Sequence, residues 1–323
     1  MRLPDLAAEP TSGVGTRFPP GLMHAAASLY YNHDVTQAEV AQRLGVSRPT
    51  VSRLLTEARR QGIVRIEVVE PLDVEGSRLA ERTATALGLS GVYLSAFNPT
   101  AFIGAALAPA LSTALREVGV SAGDVLLVSS GRTVYEAAQA ELPQLPGVTV
   151  VPTIGGQDEP EPWYQTNEII RQVALRTGGT PKFLNAPALP GPDLYDVLIH
   201  DPSTRRIIEL WRNAQCAVLG VGAPPLLRES LPRFIQPDPA AQRDAVGDVC
   251  SRFYDKDGTP VAFPGIERML ATPLDVLKNI TASIAVAVGQ AKVGGIIAGA
   301  KAGYFNHLVT DPATAAGVLA ELP

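Results

Sequence analysis

The chain has 323 residues, 46% of them hydrophobic and 18% charged, with a net charge of −5, a profile that fits two domains or one large domain with a small one attached. No run approaches the roughly 18 consecutive apolar residues of a membrane span, and the first 20 residues lack the basic start and apolar middle of a secretory signal, so a cytoplasmic protein with no membrane partner is expected. Two cysteines, Cys216 and Cys250, and four scattered histidines, His24, His33, His200 and His307, offer no disulfide framework and no metal spacing, and no metal or cofactor is expected.

Residues 1–20 are polar and contain Pro and Gly, as a disordered tail would. Residues 21–70 are expected to form a small domain, 71–75 a linker and 76–323 a larger domain. Charge separates the two. Between Val35 and Val68, Arg43, Arg48, Arg53, Arg59, Arg60 and Arg65 face Glu39, Glu57 and Glu67, a net of +3, which leaves −8 on the remainder. A basic segment on an acidic body suits a nucleic-acid reader joined to a domain with another task, although an ordinary solvated helix face would also carry such charges.

The spacing decides between them. A helix around Met23 to Tyr31 comes first. Thr36, with Glu39 three residues on, makes a capping box before Val40, Ala41 and Leu44, and Gly45 stops that helix. Ser47 caps the next, Pro49 is tolerated in its first turn, Val51, Leu54, Leu55 and Ala58 recur on one face, and Gly62 ends it. This is a helix-turn-helix. The face opposite the apolar stripe carries Pro49, Ser52, Arg53, Thr56 and Arg60, free for a major groove. Arg48 and Arg53 suit guanine edges or phosphates, Ser47, Thr50 and Ser52 suit either, and Arg59, Arg60 and Arg65 suit the backbone. "IVRIEV", Ile63 to Val68, alternates like a short strand and predicts a winged variant.

Beyond Pro71 a helix is expected over Gly76 to Leu87, and another over Phe102 to Val118, kinked or broken at Pro109. Candidate strands begin at Val92, Val125, Val148, Lys182, Cys216, Ala282 and His307, nearly all bounded by Gly, Pro, Asn or Asp. Strands alternating with helices and apolar on both faces predict a parallel, Rossmann-like α/β sheet covered on both sides. In such sheets ligands sit beyond the carboxyl ends of the strands. "SSGRT" follows one strand directly, and Ser130, Gly131, Arg132 and Thr133 make a small phosphate cradle; a plain strand-to-helix turn would read the same. Gly155, Gly156 and Gln157, Asn185, Gly220 and Gly222, and Gly289, Gln290 and Lys292 follow other strands. Pro225 stands where a dinucleotide fingerprint needs its third glycine, so a nicotinamide enzyme is disfavoured. Lys292 is one of five lysines, and its place beside a glycine turn favours an anion.

Tyr30, Tyr31, Gln37, Ala41, Ser47, Arg48, Pro49, Val51 and Ser52, within "LYYNHDVTQAEVAQRLGVSRPTVSRLLTEARRQGIVRI", resemble the helix-turn-helix of the SorC/DeoR-type sugar-binding transcriptional regulators, and the resemblance runs from about Leu22 to Leu319. Further motifs match at Gly131-Arg132-Thr133, Gly155-Gly156, Asn167-Glu168-Ile169, Ala186-Pro187, Gly220 and Gly222, Gly247-Asp248 with Phe253 through Gly258, Arg268, Lys292, and Thr310-Asp311. The resemblance implies an effector domain with the sugar-phosphate isomerase fold. It also implies that Gly131 to Thr133 and Lys292 hold an effector's phosphate, with Asp248, Gln157 and Asn167 near its hydroxyls and Arg268 in the same binding set. The chain departs from the pattern at Ser130, where the family often has Trp, and at Gln290, where it often has Gly.

The function expected is operator binding, to double-stranded DNA, modulated by a sugar or sugar phosphate in a homodimer or homotetramer. An isomerase- or deaminase-like enzyme on sugar phosphates is the alternative, since fold does not settle function. Asp248, Asp255 and Asp311 are available, but no acid/base or nucleophile motif accompanies them, so the regulator is preferred.

Overall fold

The computed structural model describes residues 18–33, 35–64, 74–99, 102–228, 231–235 and 238–322. The chain divides into two compact units, Met1–Val69 and Glu70–Pro323. Most of the expected tail and linker, and the wing from Arg65 onward, lie outside the described residues; Ile63 and Val64 form a bend.

The first unit holds α1 (Pro20–Ala27), α2 (Gln37–Leu44) and α3 (Arg48–Arg60). The expected first helix is shifted and split: α1 starts at Pro20, inside the expected tail, and passes into a wider π-turn over Ser28–Asn32. Thr36 and Glu39 close the capping box at α2, and Gly45 leaves it in the left-handed conformation with φ 64°. Ser47 Oγ accepts from Thr50 N at 3.3 Å to start α3. Met23, Ala26, Val40, Val51, Leu54, Leu55 and Ala58 are buried together as this unit's core.

The second unit begins with α4 (Val74–Leu87), β1 (Gly91–Leu94), α5 (Ile103–Glu117), β2 (Val125–Val128), α6 (Arg132–Ala138), β3 (Thr149–Pro152), α7 (Thr166–Thr177) and β4 (Thr180–Pro181). It continues with α8 (Pro192–Leu198), α9 (Pro202–Arg212), β5 (Cys216–Gly222), α10 (Pro239–Asp244), β6 (Gly247–Val249), β7 (Arg252–Tyr254), α11 (Leu274–Leu277), β8 (Ala282–Val286), α12 (Val293–Lys301), β9 (His307–Thr310) and α13 (Pro312–Glu321). Seven strands pair in parallel in the order β1-β9-β8-β5-β2-β3-β4. Alternate residues of one strand serve opposite faces: Leu127, Ala217, Leu219 and Ala285 pack with residues of α9 and α12, whereas Leu126, Val128, Val218 and Ile284 pack with α5, α6 and α7.

The elements differ from expectation at three places. Of the kink or break expected at Pro109, the break is absent, because helix α5 runs through it; Pro109 and Ala105 are both exposed, so water can take the carbonyl that loses its donor. The strand expected at Lys182 is only the preceding pair Thr180–Pro181, because Leu184 N then turns to Asn167 Oδ1 at 3.1 Å instead of continuing the ladder. The hairpin of β6 and β7, antiparallel to each other and joined to β5 through β6, was not expected. Its two-residue turn is Cys250-Ser251, at φ 54° and 60°, with neither the Gly nor the Asn that announces such turns.

Candidate functional site

On α3 the buried stripe leaves Ser47, Arg48, Pro49, Ser52, Arg53, Thr56 and Arg60 exposed, with Thr50 and Gln37 half-buried. Their commitments differ. Ser47 Oγ and Thr50 Oγ1 share a hydrogen bond of 2.8 Å, and Thr56 Oγ1 donates to Ser52 O at 3.0 Å. Arg60 donates to both Glu57 oxygens, at 2.9 and 2.5 Å, and this pairing holds the Glu57 carboxyl down at about 2. Among the described residues the guanidinium groups of Arg48 and Arg53 have no ion-pair partner. Arg59 also lacks an ion-pair partner and donates from Nε only to Leu55 O at 3.4 Å, so unpaired cations stand at both ends of α3, with Arg48 and Arg53 in its first half, whereas Arg60 is balanced.

The second unit's candidate site follows from its topology. From β2 the chain moves to β3 on one side, and from β5 it moves towards β8 on the other, so these adjacent strands form the switch point where a parallel sheet opens a crevice. A cavity of about 290 Å³ lies there, between the turn after β2 and the end of β5. Gly131 enters α6 at φ 117°, ψ 148°, and Gly289 leads towards α12 at φ 112°, ψ 144°, a backbone region essentially restricted to glycine. Helix α6 starts without a side-chain cap, and the N–H groups of Arg132, Thr133 and Val134 have no acceptor among the described residues.

Nine of the residues singled out from sequence line this cavity: Ser130, Gly131, Arg132, Thr133, Gln157, Gly220, Gly222, Asp248 and Lys292. Gln157 Nε2 donates to Ser130 Oγ at 2.9 Å, while Gln157 Oε1 is buried without a partner. Arg132 is held by Glu136 at 2.9 Å and lies over the Trp163 ring, so its charge is balanced. Lys292 is half-buried, and its side chain makes no ion pair or hydrogen bond among the described residues. Burial, and then the positive charge of Arg228, push its ammonium down to about 8, with Asp248 opposing the shift.

The sequence reading missed Arg228, Tyr164, Cys250 and Ser251, which also line the cavity. Arg228 ion-pairs with Asp248, donates from Nε to Ala223 O at 2.7 Å and lies over the Phe253 ring. Asp248 also accepts from Ser251 N at 3.1 Å. The β5–β6 register sets Gly222 opposite Asp248, and a Cβ on Gly222 would collide with both members of the ion pair. No local pattern announces Arg228, because its relation to Asp248 exists only once the hairpin has formed.

Of the residues the resemblance assigns to the effector or to its motifs, Gly155, Gly156, Asn167 and Arg268 lie outside the cavity lining. Gly155 and Gly156 thread against the chain at Ala186 and Pro187, with Gly156 N donating to Ala186 O at 2.7 Å. Asn167 Nδ2 donates to Leu184 O at 3.1 Å, and Arg268 Nη1 donates to Pro190 O at 2.5 Å. Each of these bonds fastens one stretch of chain to another.

Residues 91–320 match the family described as "Putative sugar-binding domain", and residues 24–71 match the MarR family. The chain is 34% identical to the deoxyribonucleoside regulator of Bacillus subtilis, over 92% of this chain and 96% of that one. It is 29% identical to the sorbitol operon regulator of Klebsiella pneumoniae, over 90% and 94%. The crystal structure of full-length SorC from Klebsiella pneumoniae superimposes with a TM-score of 0.75 at 28% identity, over 94% of this chain and all of that one. A helix-turn-helix unit joined to a parallel-sheet unit with its crevice at the switch point is thus matched along nearly the whole length. The chain belongs to the SorC/DeoR-type family of sugar-binding transcriptional regulators.

Proposed function

We propose that Gln37, Ser47, Arg48, Pro49, Thr50, Ser52, Arg53 and Thr56 read operator DNA, with Arg60 at the phosphate backbone, and that the cavity at the switch point binds a sugar phosphate whose presence changes operator affinity. The observation that carries the effector reading is the uncompensated ammonium of Lys292 in the same cavity as Arg228 and the uncapped start of α6. The unpaired Lys292, the Arg228 guanidinium shared with Asp248 and three free N–H groups suit a phosphate. Gln157 Oε1, left without a donor, and Asp248 suit sugar hydroxyls. The relatives' names, a deoxyribonucleoside regulator and a sorbitol operon regulator, support a carbohydrate.

Binding without turnover is the reading for this cavity. Its one lining carboxylate, Asp248, is already committed to Arg228 and Ser251 N, and burial pushes the Cys250 thiol up to about 12, too high for a nucleophile. A recognition helix reads one half-site, so a symmetric operator requires a homodimer or homotetramer. Thermal denaturation against a panel of sugars and their phosphates tests the effector class: at a hundred times its dissociation constant a ligand stabilises the folded state by about 2.7 kcal/mol. The expected outcome is a rise in Tm with a phosphorylated sugar and a smaller one with its unphosphorylated parent. Equal rises with both would remove the phosphate role.

A further inference from the structure

A larger cavity, of about 540 Å³, lies between α8, α9 and the segment around residues 266–276, within the range of small-molecule sites. At its base is Arg252, the first residue of β7. Arg252 Nε donates to Thr272 O at 3.0 Å and Nη2 to Ala271 O at 2.9 Å and Met269 O at 3.4 Å, but Nη1 has no acceptor and no carboxylate lies within ion-pair distance among the described residues. Three backbone carbonyls fix the guanidinium in place and leave one donor of a charged group free in the cavity lining, where an anion can take it. Part of the wall is apolar, with Trp211, Met269 and Leu270 buried and Ile199, Ile208 and Val276 half-buried, while the exposed Arg205, Glu209, Arg212 and Glu267 line the rest. Trp211 Nε1 is already satisfied by Pro152 O at 2.7 Å, so the indole offers only its apolar body.

We infer that this cavity is a second ligand site, distinct from the one at the switch point, and that it takes a small monocarboxylate with an aromatic or aliphatic body. The lining arginines Arg205, Arg212 and Arg252 stand against Glu209 and Glu267. That excess of a single positive charge matches one carboxylate rather than a dianion such as a phosphate monoester, and the apolar part of the wall matches the remainder of such a molecule. The two cavities share the β6–β7 hairpin as a wall: Asp248, Cys250 and Ser251 line the first, and Arg252 lines the second.

Trp163 and Trp211 are the chain's two tryptophans, so the full-length Trp163→Phe protein reports on this cavity through the emission of Trp211. Phenylacetate, 2-naphthoate and octanoate are titrated into it, each against its uncharged amide, and again after Ile208→Phe, which fills the cavity from α9. The expected result is a saturable change in emission with at least one carboxylate, at least tenfold weaker binding of its amide, and at least a tenfold loss of carboxylate binding in Ile208→Phe. No saturable change with any of the three carboxylates up to about 10 mM, a dissociation constant beyond which binding is not specific in any useful sense, would overturn the inference, and so would equal binding of acid and amide. Because both results are read in the protein that retains Ile208, the inference stays testable even if Ile208→Phe fails to fold.

Discussion

At Lys292 a single proton decides the charge that meets an effector. Its ammonium is held down to about 8 by burial and by Arg228, so it is cationic below that pH and neutral above it. A phosphate binds the cationic form. Effector affinity should therefore fall as pH rises through about 8, and binding near or above that pH should take up a proton. Calorimetry in buffers of different ionisation enthalpy measures both quantities. Lys292→Met should lose at least about tenfold in affinity together with the pH dependence; a variant that keeps the dependence would assign it to another group. Gly222 is the other decisive residue. Gly222→Ala forces a methyl group into the Arg228–Asp248 pair, which should destabilise the fold by about 1–3 kcal/mol in urea denaturation and weaken effector binding, whereas unchanged values would show that the pair rearranges freely. The sequence marked Lys292 by its place beside a glycine turn, and Asp248 through the family resemblance. Arg228 left no such mark, since neither the strand before it nor the two prolines ahead of it imply a partner twenty residues further on.

At the scale of elements, local chemistry and legibility go together. Thr36 with Glu39, Gly45 and Ser47 fix where α2 ends and α3 begins, and each acts through its immediate neighbours, so the reading head was readable from the chain alone. Ser47→Ala should cost about 1 kcal/mol of stability through the lost cap, a change that chemical denaturation resolves. The uneven pairing along α3 gives a sharper expectation for DNA. Arg53→Ala should lower affinity for a selected operator by about 1–3 kcal/mol while affecting random duplex less. Arg60→Ala should act weakly and alike on both, because Glu57 already balances Arg60. Equal, sizeable losses from Arg53→Ala on both duplexes would make Arg53 a phosphate contact instead. The hairpin of β6 and β7 escaped the sequence reading for a physical reason: its strands have three residues each, too few for an alternation to register. Its turn uses two non-glycine residues in a conformation only the folded surroundings impose. Asn167 and Arg268 were named through the family resemblance alone, and in the fold their side chains bond to Leu184 O and Pro190 O, contacts that a motif match cannot tell apart from ligand contacts.

At the scale of the whole molecule a basic helix-turn-helix unit and the crevice proposed to hold an anion belong to one chain. No helix among the described residues is long and apolar enough to cross a membrane, and the two units are each compact in themselves. Filling the crevice need only favour one arrangement of paired reading heads over another, and a coupling of about 1–3 kcal/mol changes operator affinity by about 5- to 150-fold. By reciprocity, operator DNA must alter effector affinity by the same factor. The most direct measurement is the affinity of the full-length protein for duplexes it has itself selected from a random library, titrated with and without the sugar phosphate that most raises its Tm. The account predicts a salt-sensitive affinity that shifts at least fivefold in the wild type and is unmoved by the sugar phosphate in Lys292→Met. An affinity for the selected duplex that is the same with and without every such compound, in a protein that demonstrably binds them, would contradict it.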